Sequence, residues 1–374
     1  MEYIRPNLLG DLRAEADGTM LTQAFLETAD YRTLIETSDR MVVVGRRGTG
    51  KSALALKLAG HWQGDAAVRI VRITPEEYHV IGSRPVIQSF GNTFSRVRAG
   101  ARLAWRYALM METADKMASQ YSFSETKGYA EIEHRVRQWR GYGPYVPDRF
   151  QRLLIETSKE FDSAEERIGQ LPILLDLTSV QKNLSDACAA AKTQVIFLID
   201  KLDEGYEPDQ VGIGFVDGLV QAAVDVKTRF SQIRPIVFLR DNILRAVQYH
   251  DQDYSRNIEG HVLRLHWDVD SLMNFATKRM SIAIGSKEQS AAVKVWNACT
   301  GPDLKGKAGF LECLQRTLYR PRDLLSLLNE AFYEAGKHNQ KVIVRNNITS
   351  TARYISQNRL DDLRKEYSSI IPGL

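Results

Sequence analysis

Cysteine is scarce in this sequence of 374 residues, and long apolar runs are missing altogether. The three cysteines, Cys188, Cys299 and Cys313, are an odd number at spacings unlike those of a zinc site, so we expect reduced, buried thiols. No window approaches the roughly 18 apolar residues of a membrane-spanning helix, and the first residues lack the apolar centre of a signal peptide. These absences predict a cytoplasmic protein without membrane contact.

Neither sign of charge is in great excess. Lys and Arg number 50 and Asp and Glu number 46, which gives a formal net charge of +4. Hydrophobic residues make up 44% of the chain, and there is no internal repeat or low-complexity segment, so the composition excludes a largely disordered protein. The length allows one large core or two smaller ones.

A phosphate-binding motif lies at residues 41–53, MVVVGRRGTGKSA. Apolar residues predict a buried parallel strand that stops at Gly45, and residues 53–58 have a helical pattern. Between them the sequence fits GxxxxGK followed by Ser, which is the P-loop. We expect its backbone N–H groups to surround phosphate oxygens, Lys51 to reach the β- and γ-phosphates, and Ser52 to hold Mg²⁺. The predicted nucleotide-binding residues are Gly45, Gly48, Thr49, Gly50, Lys51, Ser52 and Ala53.

Four more segments read as strands, at 66–73, 194–200, 235–240 and 262–266. The first alternates apolar and basic residues, which is typical of a strand near a sheet edge, whereas the second is continuously apolar and hence central. Residues 75–191 show only helical stretches, which predicts a helical insertion of more than a hundred residues. The sequence therefore predicts an α/β fold of the ASCE P-loop type, with a five-stranded parallel sheet and a C-terminal α-helical lid.

These elements predict three domains. Residues 1–40 form a helical lead-in beside the nucleotide base, residues 41–268 form the P-loop ATPase core with its insertion at 75–191, and residues 269–374 form the lid and C-terminal helices.

The second apolar strand ends in an acid, as the other half of a P-loop site requires. Asp200 is the predicted ligand of Mg²⁺, acting through water while Lys51 and Ser52 hold phosphate and metal. Asp203 and Glu204 follow, and either one can orient or deprotonate the attacking water. The sequence does not decide between them.

Three segments carry a resemblance to a known family, namely FLIDKLDEGYE at 197–207, FLRDNIL at 238–244 and LYRPRDLLSLLNEAF at 318–332. Together they resemble AAA+/STAND-type P-loop ATPases close to the ORC/CDC6-like family, particularly the bacterial members linked to antiphage defence. In the similar STAND pattern a small residue stands where this chain has Lys201. The resemblance implies an oligomerising ATPase switch that controls a separate effector protein, or alternatively a DNA-binding loader or initiator. A small-molecule kinase is disfavoured, since no substrate site is visible.

The resemblance also assigns arginines. Arg240 and Asp241 occupy the sensor-1 position, on a strand expected between those that lead to Lys51 and Asp200, and Arg322 occupies the sensor-2 position. Pro321 supports the second assignment independently, because proline is favoured in the first turn of a helix. Arg245 and Arg256 are candidate arginine fingers for a neighbouring subunit. No nuclease, protease or NAD-hydrolysing motif is visible, so we expect any effector activity to lie outside this sequence.

Residues 94–152 are basic, with eleven Lys or Arg against six acids. Arg98, Arg102 and Arg106 recur every four residues and so line one helical face, with Trp105 and Tyr107 among them. Such a face can bind nucleic acid, dock an acidic partner, or be a solvated surface whose aromatic rings belong to the core. All three interpretations stay open at this point.

Overall fold

Five parallel strands form one sheet in the order β2-β3-β4-β1-β5. The strands are β1 (Val42–Gly45), β2 (Val68–Ile73), β3 (Gln194–Ile199), β4 (Ile233–Arg240) and β5 (Val262–Arg264). This computed structural model describes residues 6–159, 161–202, 209–251, 253–285 and 291–367.

The burial of each strand follows its residue pattern. Strands β3 and β4 contain the apolar runs 195–199 and 235–239 and are almost wholly buried, because helices cover both faces of a parallel sheet. Strand β2 alternates Arg69 and Arg72 with apolar residues and lies at the edge of the sheet, as predicted. Strand β4 lies between β3 and β1, which is the placement that the family resemblance implies for Arg240.

Helices account for most of the remaining described chain. Before β3 they are α1 (Gly18–Ala24), α2 (Ala29–Glu36), α3 (Lys51–Trp62), α4 (Glu77–Ile87), α5 (Phe94–Met117), α6 (Tyr121–Ser124), α7 (Lys127–Gly141), α8 (Val146–Ser158), α9 (Ala164–Leu174) and α10 (Leu177–Ala190). After β3 they are α11 (Gln210–Arg229), α12 (Asp241–His250), α13 (Tyr254–Asn257), α14 (Val269–Ala283), α15 (Ala292–Cys299), α16 (Gly306–Gln315), α17 (Pro321–Lys337) and α18 (Arg345–Tyr367).

The predicted helical insertion is confirmed for the described residues between β2 and β3, which contain helices α4 to α10 and no strand. Cys188, Cys299 and Cys313 are buried and unpaired by disulfides, as expected, and burial raises the pKa of the Cys188 thiol to about 12. Within the part of the chain that the structure describes, no helix is both long and apolar enough to cross a bilayer.

The chain divides into two compact units. One contains residues 1–36, 45–58 and 265–374, and the other contains residues 37–44 and 59–264. The lead-in and the P-loop thus belong to the same unit as the C-terminal helices, whereas the sequence assigned these segments to three successive domains. This grouping depends on contacts between residues far apart in the chain, which local patterns do not encode.

Helices α5 and α11 pack against each other through two glycines of α11. A Cβ at Gly214 would lie 2.7 Å from the Phe94 carbonyl oxygen, and a Cβ at Gly218 would lie 2.9 Å from the Arg98 carbonyl oxygen. Both distances are shorter than van der Waals contact, so the absence of side chains at these positions lets the two backbones approach closely.

A buried charged cluster lies along the same contact. Arg98 Nη1 is 2.7 Å from Asp251 Oδ1 and 3.9 Å from Asp217 Oδ2, and Gln221 Nε2 donates to both carboxylates. Asp217 is fully buried, and its Oδ1 has no hydrogen-bond partner among the described residues. Burial, with the neighbouring Asp251, raises the pKa of Asp217 to about 7.

This raised pKa makes the stability of the protein dependent on pH. Asp217 has a higher pKa in the folded chain than its ordinary value of 3.8, so the folded state binds more protons between the two values and stability falls as pH rises from about 4 to about 7. The neutral, isosteric change Asp217→Asn should remove this loss. We expect the variant to match wild type near pH 4 and to exceed it by about 4 kcal/mol in unfolding free energy at pH 8. Urea titrations at both pH values measure the difference, and equal stabilities at pH 8 would contradict the assignment.

Candidate nucleotide-binding site

The P-loop is a tight turn between strand β1 and helix α3. Gly48 has φ of 85° and Gly50 has φ of 95°, backbone conformations that side-chain-bearing residues rarely adopt. The Leu54 N–H then donates to the Gly50 carbonyl at 2.9 Å, which closes the first turn of helix α3. The loop therefore leads directly into a helix N-terminus, where backbone N–H groups and the helix dipole favour an anion.

Two polar residues fix the shape of this loop. Thr49 Oγ1 donates to the Arg46 carbonyl at 2.8 Å, and a Cβ at Gly45 would lie 2.4 Å from that hydroxyl. The Gly45 position accordingly has no room for a side chain. Trp267 Nε1 donates to the Thr49 carbonyl at 3.0 Å and ties the loop to the segment before helix α14.

Lys51 lies across the loop that precedes it. Its Nζ donates to the Gly45 carbonyl at 2.7 Å and to the Arg46 carbonyl at 3.2 Å. The ammonium group is therefore held at the loop, and its contact with phosphate stays a prediction. Ser52 follows in the first turn of helix α3 and is half-buried, and Ala53 lies beside it.

Arg322 also lies at the loop. Helix α17 begins at Pro321, as predicted, and the Arg322 N–H donates to the Gly48 carbonyl at 3.2 Å. The Arg322 side chain extends along the loop, since a Cβ at Gly48 would lie 3.1 Å from its Cβ and 3.5 Å from its Cδ. Burial, together with the nearby charge of Arg47, lowers the pKa of the Arg322 guanidinium. A half-buried cation beside a second cation favours a bound anion here.

Ion pairs connect the same loop with helix α18. Arg47 Nη1 lies 3.5 Å from Asp362 Oδ1, and Arg359 Nη1 lies 3.1 Å from Asp362 Oδ2 and 3.0 Å from Asp323 Oδ1. Asp323 follows Arg322 in helix α17 and is buried, which raises the pKa of its carboxyl group. The first turn of helix α17 is thus linked by charged contacts both to the P-loop and to helix α18.

A cavity opens next to the loop, within the same compact unit. Its walls come from the lead-in, from Thr49, Gly50, Ala53 and Leu54, and from the segment 265–321. Most of the lining is apolar, including Phe25, Trp267 and Phe275. The lead-in therefore lies beside the P-loop, where the sequence predicted the nucleotide base.

Asp200 and Arg240 belong to the other compact unit, and they lie at the carboxyl ends of neighbouring parallel strands. Asp200 follows β3 and is only 5% exposed, and its N–H donates to the Ile73 carbonyl. Arg240 ends the neighbouring strand β4, and Lys201 has the unusual φ of 65°. Asp203 and Glu204 lie outside the described residues. Among the described residues no three His, Cys, Asp or Glu side chains cluster in a metal-binding group, so the roles of Ser52 and Asp200 toward Mg²⁺ stay predictions.

The two candidate arginine fingers are exposed. The Arg245 side chain is 64% exposed and pairs with Asp241, which also accepts from Arg264. The Arg256 side chain is 83% exposed and lies 3.8 Å from Asp253. Their exposure is compatible with a contact to a second subunit, which stays a prediction.

The basic helical face in the insertion is largely paired within the protein. Arg98 contacts Asp251, Arg102 forms two hydrogen bonds to Asp225, and Arg106 donates to Gln181. Among the aromatic residues, Trp105, Tyr107 and Trp139 are buried in the core, whereas Tyr145 is exposed. Binding of nucleic acid through this face stays a prediction, and it would require these ion pairs to be exchanged for phosphate contacts.

The chain matches one described domain family and is similar to two known proteins. Residues 270–364 match a family described as the FunZ-associated C-terminal helical domain. The chain is 44% identical over 374 residues to a transposon gamma-delta 80.3 kDa protein of Escherichia coli (strain K12), covering 99% of this chain and 53% of that protein. It is 51% identical over 140 residues to allergen Alt a 2 of Alternaria alternata, covering 37% of this chain and 72% of the allergen. The chain belongs to the family of allergen Alt a 2, of which it covers 72%.

This chain spans about half the length of its transposon-encoded relative. No solved structure matches it significantly. The matched helical domain, 270–364, contains Arg322 and the three charged residues of helices α17 and α18 that link to the P-loop.

Some residues of the site were not found from the sequence. Trp267, Asp30 and Arg279 line the cavity beside the P-loop but belong to no recognisable motif. The sequence signal that pointed toward them was only indirect, namely the amphipathic lead-in helices and the expected position of the nucleotide base.

Proposed function

We propose that this protein is a Mg²⁺-dependent ATP-binding and ATP-hydrolysing switch of the AAA+/STAND type, oligomeric and cytoplasmic. The observation that carries the proposal is the pairing of Gly48 with Arg322. A P-loop glycine and the predicted sensor-2 arginine lie in backbone hydrogen-bond contact. A group that binds at the loop would therefore act directly on the first turn of helix α17.

Each residue of the site has a proposed role. Lys51 and the loop N–H groups would hold phosphate oxygens, Ser52 with the predicted Asp200 would hold Mg²⁺, and Arg322 would contact the terminal phosphate. ATP supplies the phosphoryl bond that is broken, and loss of the terminal phosphate would remove the anion that Arg322 and Arg47 share. Helix α17 would then be free to shift, and the ion pairs with helix α18 would carry that change through the helical domain.

The biological setting of this switch follows from the family resemblance. Bacterial members of the resembled family are linked to antiphage defence, and we propose that this chain has a role of that kind and controls a separate effector protein. A second candidate is a DNA-binding loader or initiator of the ORC/CDC6-like kind. It is favoured by the E. coli relative, which is described as a transposon protein.

Steady-state ATP hydrolysis by the purified protein, alone and with duplex or single-stranded DNA, tests the function and separates the two candidates. Glu204→Gln serves as a control for turnover. Slow hydrolysis that DNA does not change supports the switch, whereas strong stimulation by DNA supports the loader. A protein that neither binds nor hydrolyses ATP would refute both.

Arg322→Ala should weaken the binding of ATP more than the binding of ADP. The change removes a charged hydrogen bond to the terminal phosphate, which is worth about 1.5 to 3 kcal/mol, so ATP affinity should fall roughly 10- to 100-fold while ADP affinity changes little. Titration of each nucleotide by calorimetry measures the ratio. Arg345→Ala is a matched control, because Arg345 pairs with Glu312 in the same unit and does not contact the loop. Equal losses for ATP and ADP would show that Arg322 does not recognise the terminal phosphate.

A further inference from the structure

We propose that Trp267 is a positioning residue of the P-loop, whose indole N–H orients the loop so that the Gly50 N–H is offered to a bound anion. The inference rests on the proposed function, because it concerns how the loop holds phosphate. It deepens that function by assigning a role to a side chain outside the P-loop motif.

The Trp267 indole reaches the loop from the segment before helix α14. Its Nε1–H donates to the Thr49 carbonyl oxygen at 3.0 Å, and both residues belong to the same compact unit. Thr49 is buried, and a carbonyl oxygen in such surroundings is costly to leave without a donor. The indole satisfies this oxygen and fixes the direction in which it points.

The direction of this carbonyl also fixes the direction of the next N–H. The peptide bond between Thr49 and Gly50 is trans, so its N–H and its C=O point in opposite directions. With the Thr49 oxygen turned to Trp267, the Gly50 N–H points away from the indole. Gly50 directly precedes helix α3, whose N-terminus favours an anion.

Neighbouring carbonyl oxygens of the loop also accept hydrogen bonds. The donors are Lys51 Nζ for Gly45 and Arg46, the Arg322 N–H for Gly48, and the Leu54 N–H for Gly50. P-loops bind phosphate through backbone N–H groups, and a carbonyl oxygen turned toward the phosphate would repel it. The bond from Trp267 extends the same arrangement to the peptide between Thr49 and Gly50.

This peptide needs a donor of its own because Gly50 allows it to rotate. Gly50 has φ of 95°, and glycine adopts positive and negative φ about equally readily. Without the indole N–H, the peptide plane can turn over and present the Thr49 oxygen where the Gly50 N–H should be. Only the fraction of molecules with the binding orientation would then hold an anion well, which lowers the apparent affinity.

Calorimetric titration with inorganic tripolyphosphate and Mg²⁺ tests this role, because tripolyphosphate has no base that could contact the Trp267 ring. Trp267→Phe keeps an aromatic ring and removes the N–H. We expect it to weaken the binding of tripolyphosphate by about 2- to 10-fold, as the loss of a neutral hydrogen bond predicts, and the binding of ATP by at least as much.

Trp296→Phe is the matched control. Trp296 Nε1 donates to the Leu304 carbonyl at 2.7 Å in the same compact unit, so the change removes the same kind of bond away from the loop. Trp296 is fully buried, and its loss should lower the melting temperature at least as much as Trp267→Phe does. The affinity of this control for tripolyphosphate should nevertheless equal that of wild type.

The outcomes separate the inference from the function on which it rests. If wild-type protein binds neither ATP nor tripolyphosphate, the proposed function itself fails. If wild type binds both but Trp267→Phe weakens ATP alone, Trp267 is a wall of the cavity and the positioning role is refuted. Equal losses of tripolyphosphate affinity in the Trp267 and Trp296 variants would also refute it, because general loss of stability would then explain the effect.

A second replacement covers the case in which Trp267→Phe melts far below wild type. Incorporation of 3-benzothienylalanine at position 267 keeps the shape of the indole and replaces its N–H by sulfur, so only the donor is lost. This variant should show the same loss of tripolyphosphate affinity, and wild-type affinity in it would overturn the inference.

Discussion

Lys51→Ala is expected to weaken ATP binding by about 100-fold or more and to abolish hydrolysis. The Lys51 ammonium lies across the P-loop, 2.7 Å from the Gly45 carbonyl oxygen. Its removal eliminates a charged hydrogen bond of roughly 1.5 to 3 kcal/mol and also a full positive charge beside several negative ones. Calorimetric titration with Mg²⁺ and ATP measures the loss.

A matched lysine elsewhere in the same unit provides the control. Lys307 is 57% exposed, pairs with Asp270 and lies in helix α16, so Lys307→Ala should bind ATP as wild type does. The melting temperature of Lys51→Ala without nucleotide should also stay close to that of wild type, because the lysine is only half-buried. Unchanged ATP affinity in the Lys51 variant would overturn the assignment of the site.

Gly218→Val should destabilise the protein by about 3 kcal/mol or more. The first carbon added at Gly218 would lie 2.7 Å from Ala101 Cβ and 2.9 Å from both the Arg102 nitrogen and the Arg98 oxygen. Two of these atoms are backbone, so helices α5 and α11 would have to separate, and the buried pair of Arg98 with Asp251 would be strained as well. Urea unfolding measures the loss.

Gly169→Val is the control for this change, since Gly169 is an exposed residue inside helix α9 with nothing within 4 Å of the added carbon. Valine is at least as good a helix former as glycine, so this variant should be neutral or slightly more stable. Similar stabilities for the two variants would mean that α5 and α11 do not approach as closely as described.

The sequence predicted those parts of the fold that depend on local patterns. All five strands, the edge position of β2 and the helix start at Pro321 follow from apolar periodicity and from the restricted conformation of proline. Helices α4 and α9 were not individually predicted, and each contains an internal proline, Pro85 or Pro172, which ordinarily argues against a helix.

Contacts between residues far apart in the chain could not be predicted from local sequence patterns. The spacing of Arg98, Arg102 and Arg106 correctly placed them on one helical face, but the acids that they contact come from helix α11 and the segment after α12, more than a hundred residues later. The same limit applies to the cavity, where Asp30 and Arg279 are separated by most of the chain. A motif identifies the phosphate end of a site, whereas the base end is assembled by tertiary contacts.

The grouping of residues 1–36 with 45–58 and 265–374 has a consequence for evolution in this family. A chain without residues 1–36 or without residues 265–374 would keep the whole P-loop motif, yet it would lose a wall of the cavity and, in the second case, Arg322 too. Selection on this cavity must therefore act on both segments together. Homologues that retain the motif but lack either segment are predicted to have lost this cavity.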